Sequence, residues 1–293
     1  MDRPALPARH RRFFRTPKGL LLIVLAALTV VAPPGVGVVR AMPGLAAGLL
    51  AAALIDVPVL RWRDGKWSFP DGALLTGWIV ALILSPFEPW WVLAATTAIA
   101  LASKHALRLG TANVFNPAAL ALVVTFHAFD TAQSWWGALP EAPLPAIALF
   151  VGTGMFIAER VNKVLLVLAF LGTYFLFFTA TAYVADPGTV AEVYRAPDLH
   201  AALFFAFFMV TDPPTSPPRP RDQLWYGVIA GGGAYAFFEV VGAVYFLLAG
   251  LLLANGWEAL RRARLRSGSS RQPVAATSQG RPRRRERFGR AGG

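Results

Sequence analysis

The sequence contains no cysteine, only four histidines and few charges. Without cysteine there can be no disulfide, no thiolate-held iron–sulfur cluster and no cysteine nucleophile in this chain. His10, His105, His127 and His200 fall on different predicted elements and on opposite sides of the topology derived below, so no haem or metal pair is expected. Charged residues make up 15% of the 293 residues against 56% hydrophobic ones, a balance too apolar for an ordinary soluble domain. Ten-residue segments of alternating polarity are also missing, which favours membrane helices over an outer-membrane barrel. No small-residue cleavage site follows "MDRPALPARHRRFFRTPK", so the first apolar stretch is expected to remain as a helix.

What is present is a series of apolar runs broken by proline, glycine and charge. They predict ten spans, at about 19–38, 41–60, 71–87, 89–104, 114–129, 143–159, 163–185, 198–211, 223–238 and 240–258. The last two share one apolar stretch, divided at Glu239. A hairpin puts that carboxylate at a solvated outer turn, whereas a single crossing would leave it inside the membrane as a proton or cation candidate. Charge tests the count. Arg61, Arg63, Lys66, Lys104, Arg108, Arg160, Lys163, Arg219 and Arg221 occupy every second loop, while the alternate loops carry Glu88, Asp130, Glu141, Asp186, Glu192 and Asp198, with Arg40 and Arg195 as their only basic residues. The positive-inside rule then makes both termini cytoplasmic and the number of crossings even.

The predicted fold class is therefore all-α: a polytopic membrane protein of about ten transmembrane helices in the cell's inner (cytoplasmic) membrane. Five spans is an odd number, so two groups of five run in opposite directions, as in inverted-repeat transporters. "PDGALL…LSP" and "PDLHAAL…VTDP" echo one another across the halves. The expected organisation is a basic cytoplasmic stretch at 1–18, a membrane domain at 19–258 with repeats of about 19–130 and 143–258, and a basic, disordered cytoplasmic tail at 259–293. Within that tail "RRARLR" reads as a stop-transfer flank on anionic headgroups, and nucleic acid is not expected as a partner. The pairs Trp90-Trp91 and Trp135-Trp136 read as interfacial anchors, and the glycines of "GVIAGGGAYAFF" as sites of close helix packing rather than a nucleotide loop.

Three stretches put polar residues at cytoplasmic span ends. "SFPDGALLTG" brings Asp71 and Thr76; "KHALRLGTANVFNPAALAL" brings Lys104, Asn113 and Asn116, with Pro117 in a first helical turn; "TDPPTSP" brings Thr211, Asp212, Thr215 and Ser216. Each has a plain explanation as a cap or a helix stop. Together they read as a cavity lining, because polar groups at membrane depth are costly unless they meet one another or a ligand. Helix starts at Asp71 and near Asn116 would also aim free N–H groups at a phosphate or a polar ring.

"DGALLTGWIVALILSP…PWW", "KHALRLGTANVFNPAAL", "FFMVTDPPTSPPRPRDQLWYG" and "YFLLAGLLLAN" resemble the D subunit of Rnf electron-transport complexes and the B subunit of the sodium-pumping NADH:quinone oxidoreductase, over about residues 60–258. The resemblance implies ten membrane helices in two inverted halves, bound flavin, and electron transfer coupled to cation movement. Partner redox and membrane subunits, and possible exchange with a quinone, are implied alongside the lipid bilayer. The family commonly attaches FMN to the threonine of a Ser-Gly-Ala-Thr motif. The counterpart here is "WGAL", with Leu139 in the threonine's place, and "GMFIAERV" at 154–161 keeps only Ile157 and Glu159 of a second family segment. What the resemblance then implies is a flavin, FMN or riboflavin, held without a covalent bond by Asp71, Thr76, Lys104, Asn113, Asn116, Thr211, Asp212, Thr215 and Ser216, or a site that has lost it. No residue is assigned a catalytic role, since the redox chemistry would be the flavin's. Two other readings stand beside it: a small-molecule or cation permease on the same scaffold, similar to membrane proteins of enediyne biosynthetic clusters, and a structural assembly protein.

Overall fold

The computed structural model describes residues 16–32, 37–65, 67–184 and 187–269; His10, Lys66, Asp186 and the tail from residue 270 lie outside the described residues. Ten helices of more than ten residues occur among the described residues: α1 Pro17–Val31, α2 Val38–Asp64, α3 Asp71–Ile83, α4 Trp90–Ala106, α5 Pro117–Phe129, α6 Leu144–Arg160, α7 Val164–Val184, α8 Asp198–Phe208, α9 Pro220–Ala236 and α10 Phe246–Ser269. The stretches Val39–Arg63, Val164–Val184 and Pro220–Val241 are long and apolar enough to cross a membrane.

Local chemistry sets the helix ends. Thr16 caps α1, its Oγ accepting from the Gly19 amide at 3.2 Å ahead of Pro17. Asn116 caps α5 in the same way, accepting from the Ala119 amide at 3.0 Å ahead of Pro117. Helix α2 ends on Gly65 in the left-handed conformation, where a residue without Cβ meets no steric penalty. A wide, π-type turn, Phe237–Val241, ends α9, and Glu239 sits exposed in it, at the kind of turn that the hairpin reading expects.

Helices α3 and α8 are among the shortest of the ten and are the most enclosed. Residues 79–84 are almost wholly buried, as are 204–210. At 1.5 Å per residue these helices span only ~20 and ~17 Å, well short of a hydrocarbon core of ~30 Å. Irregular chain must cover the remainder, which is tolerable only where other protein surrounds it or it lines a cavity. On one side the chain after α3 is held by Ser134 and Trp135 amides donating to the Ile83 carbonyl and by the Leu84–Gln133 bridge. At the other, the proline-rich corner 209–219 follows α8.

The longer helices pack around this centre. Helix α2 packs on α4 and α4 on α5; α7 packs on α9 and α9 on α10. The glycines of α9 act as the close-packing reading expects. A Cβ on Gly231 would lie 2.9 Å from the Phe170 carbonyl, and one on Gly250 of α10 would collide with the Ala230 carbonyl.

Several boundaries differ from expectation. The span expected at 71–87 stops at Ile83, and that expected at 198–211 stops at Phe208. The span expected from 114 begins at Pro117, after a two-stranded hairpin pairing Arg108–Leu109 with Ala112–Asn113. Helix α10 runs to Ser269, so residues 259–269 of the expected disordered tail are helical. Their arginines bind protein: Arg262 donates to the Pro214 and Ser216 carbonyls at 3.0 and 3.1 Å, and Arg266 to the Leu109 carbonyl at 2.9 Å. Trp135 and Trp136 are not interfacial anchors. Trp136 is buried and donates its indole N–H to the Ala81 carbonyl at 2.7 Å, while Trp135 packs edge-on against Phe204 and Phe205. Trp90 and Trp91 do stay exposed.

Candidate functional site

A cavity of about 620 Å³ opens at one end of the bundle. The starts of α1, α3 and α5 and the ends of α2, α4, α6 and α8 line it, so the alternate, basic loops gather at this end. Leu21, Leu75, Ile79, Ile157, Phe207 and Phe208 supply apolar surface.

Seven of the nine residues singled out from sequence line this cavity: Asp71, Thr76, Lys104, Asn113, Asn116, Thr211 and Asp212. Thr215 and Ser216 do not. Both are buried behind the wall, with Thr215 Oγ donating to Asp212 Oδ2 at 2.9 Å and Ser216 Oγ to the Asp212 carbonyl at 2.8 Å. Their work is to shape the corner that presents Asp212.

The polar groups divide by what their bonds leave free. Thr76 Oγ donates to the Gly72 carbonyl at 2.9 Å and Thr211 Oγ to the Phe207 carbonyl at 2.6 Å, leaving each oxygen only as an acceptor. Asn116 is committed to the fold: besides its cap, its amide N–H donates to Asn255 Oδ1 at 2.7 Å, and Asn255 in turn binds the Tyr226 hydroxyl. Asn113 is different. Its side-chain amide has no hydrogen bond among the described residues, so both a donor and an acceptor remain for a ligand.

Charge in the cavity is mixed. Lys18 pairs with Asp71 at 3.1 Å, and Asp71 Oδ1 also accepts from the Gly72 amide at 2.7 Å. Deeper in, the buried Asp56 of α2 meets two residues of α4, His105 Nε2 at 2.9 Å and Lys104 Nζ at 3.7 Å. Burial pushes the Asp212 carboxyl up to about 6, against the opposing pull of its Thr215 hydrogen bond and of Lys104, Lys163 and Lys18. Arg63 and Arg108 add positive charge at the lining.

The corner itself is braced from behind. Five of the eight residues from Pro213 to Pro220 are prolines, which have carbonyls but no amide donors. Lys163 Nζ supplies a donor to the Pro217 carbonyl, Gln223 to Pro218 at 3.3 Å, and Arg262 to Pro214 and Ser216. Buried Glu258 orients Arg262 at 2.6 Å and Arg261 at 2.7 Å.

Sequence reading misses Asp56, Lys18 and the part played by His105. A lone acid inside the apolar run "LLAAALIDVPVL" was the available signal for Asp56. Nothing in spacing joins it to His105, 49 residues away. His127 and His200 conform to the ordinary reading, bonded to the Tyr245 hydroxyl at 3.0 Å and the Leu139 carbonyl at 2.9 Å.

Leu139 itself is buried and apolar, following a short turn that packs on the end of α3 opposite the cavity. Thr125, which neighbours the same region in sequence, spends its hydroxyl on the Ala121 carbonyl at 2.9 Å. The residues present therefore fit a ligand held by contacts in the cavity and not one esterified at position 139.

A helical bundle with membrane-length apolar members, closed at one end around a cavity of mixed polar and apolar lining, marks a helical membrane protein. The chain belongs to the NQR2, RnfD, RnfE family, whose model matches residues 10–143 and 141–257. It is similar to the D subunit of the ion-translocating oxidoreductase complex of Stutzerimonas stutzeri, 40% identical over 88 residues, covering 30% of this chain and 23% of that protein. The protein of the same name from Shewanella sediminis (strain HAW-EB3) is 24% identical over 324 residues, covering 83% of this chain and 91% of the relative. That from Pseudomonas aeruginosa (strain LESB58) is 33% identical over 144 residues, covering 46% of this chain and 41% of the relative.

Proposed function

We propose that this chain is the membrane subunit of an ion-translocating oxidoreductase complex, and that its cavity holds a flavin, FMN or riboflavin, without a covalent bond. The observation that carries the reading is convergence: three polar stretches far apart in sequence line one cavity whose volume lies in the range of small-molecule sites. Phe207, Phe208 and the aliphatic residues supply surface for a planar ring, and Asn113 offers a donor and an acceptor for its polar edge. Lys18, Arg63 and Arg108 provide cations for a phosphate or the hydroxyls of a sugar chain.

The flavin supplies electron exchange when bound; the chain's own residues bind it, orient it and set its electrostatics. Electrons must come from and go to partner subunits, because a chain without cysteine holds no thiolate-ligated cluster of its own. Ten helices built as two inverted groups of five would fit the recurring order of packing, α2–α4–α5 and α7–α9–α10, with short α3 and α8 at the centre. The basic loops gathered at the cavity end support cytoplasmic termini and an inner-membrane location.

The same short central helices favour a second reading, a permease for a small molecule or cation, since carriers build sites at broken helices. The absorbance spectrum of purified protein, before and after acid precipitation, separates the two. Flavin absorbance that moves to the acid supernatant is the expected result. Colourless protein that also fails to quench added riboflavin or FMN fluorescence would sink the flavin reading and leave the permease.

A further inference from the structure

Asp56 is 2% exposed in an apolar helix, a placement that costs free energy unless the charge is paired. Its partners are His105 and Lys104, and both approach the same carboxylate oxygen. A carboxylate only accepts hydrogen bonds, so His105 must present Nε2–H to it. That fixes the tautomer and leaves Nδ1, which has no partner among the described residues, on a ring that lines the cavity.

We propose that His105 is the residue that passes a proton between water at the mouth of the cavity and the bound ligand, with Asp56 as its positioning partner. The assignment rests on the flavin reading above. Full reduction of a flavin by two electrons, delivered singly by a partner redox protein, requires new N–H bonds on the ring. As one forms, the Nδ1–H bond of protonated His105 breaks; the imidazole returns to neutral and takes its next proton from water. Asp56 stabilises the charged ring before transfer and holds its orientation after it. The other charged groups around the same cavity are Lys104 on the same helix, Arg63 from α2, Lys18 from α1, Asp71 from α3, Arg108 from the hairpin and Asp212 from the proline-rich corner. Asp212 is one competing proton carrier, but its Oδ2 is already an acceptor for Thr215. Lys104 is the other, and it shares the Asp56 oxygen with His105. Arginines keep their protons at neutral pH, and Asp71 is held by Lys18 and the Gly72 amide.

The test uses full-length protein loaded with riboflavin, with affinity read from quenching of riboflavin fluorescence. The rate at which a one-electron donor, dithionite, reduces the bound flavin is then followed by stopped flow from about pH 5.5 to 8.5, a span that brackets ordinary imidazole titration. The wild type is expected to show a bend in the logarithm of that rate against pH. His105→Gln, whose amide can still donate to Asp56, should lose the bend while riboflavin affinity changes by no more than about threefold. Asp56→Asn, which removes the positioning partner, should lower the limiting rate, and Asp212→Asn and Lys104→Gln should each retain the bend. A bend that survives in His105→Gln, or one that vanishes only in Asp212→Asn or Lys104→Gln, overturns the proposal while leaving the flavin reading intact. Wild-type protein that binds no flavin removes both.

Discussion

Asp212 accepts a hydrogen bond from Thr215 at 2.9 Å, yet burial still lifts its carboxyl to about 6. A raised folded-state value means that the unfolded chain ionises first. The group therefore disfavours folding increasingly as pH climbs from about 4 to 6, and the full penalty stays in force above that. Asp212→Asn keeps an acceptor for Thr215 and removes the penalty. Its thermal midpoint in detergent should exceed the wild type's at pH 7.5, by an amount equivalent to about 1–3 kcal/mol, and the gap should close toward pH 4. A gap that widens in acid would contradict the assignment. Asn255 acts in the opposite sense, since it serves two buried partners, the Asn116 amide and the Tyr226 hydroxyl. Asn255→Leu takes away the acceptor of the Asn116 amide and one partner of the Tyr226 hydroxyl, and should lower stability by about 1–3 kcal/mol, measurable by thermal denaturation followed by tryptophan fluorescence. The polar residues of this site were legible in sequence because an Asp or Asn stands out in so apolar a chain. Asp56 escaped because its meaning lies in a partner on another helix, and Trp136 misled because a tryptophan beside a span end is usually an interface residue, whereas here the chain turns back inward to meet Ala81.

At the scale of the element, α9 lies between α7 and α10 with almost no space for side chains on its glycine face. Gly250 touches the backbone of Ala230 and Ala234, while nothing lies within 4 Å of a Cβ added at Gly256 on the same helix. Gly250→Ala should therefore destabilise by about 1–3 kcal/mol through forced separation of the helices, whereas Gly256→Ala should be neutral or slightly stabilising. Comparing the two thermal midpoints isolates packing from helix propensity, because both substitutions improve propensity alike. Helix number and order were readable from apolar periodicity and punctuation. Helix ends were not: the Ile83 carbonyl at the end of α3 is taken by the Ser134 and Trp135 amides, α8 closes where the Phe205 carbonyl accepts from both the Met209 and Val210 amides, and α10 runs on because Glu258 neutralises Arg261 and Arg262.

For the whole molecule, the cavity joins loops that charge alone assigns to one face of the membrane. The chain has no cysteine, so single cysteines report on that face without background. In sealed, right-side-out vesicles Glu141→Cys should react with an impermeant maleimide, and Arg219→Cys should react only after the vesicles are opened. Equal labelling of both in sealed vesicles would refute the common face. The proline-rich corner has a further consequence for anyone following ligand entry by deuterium uptake. Pro213, Pro214, Pro217, Pro218 and Pro220 possess no exchangeable backbone hydrogen, so most of that corner is silent to the method. Thr215 and Ser216, whose amides both donate to the Asp212 carbonyl, can speak for the middle of the corner behind the wall, and slower exchange at those two positions is the expected mark of a filled cavity.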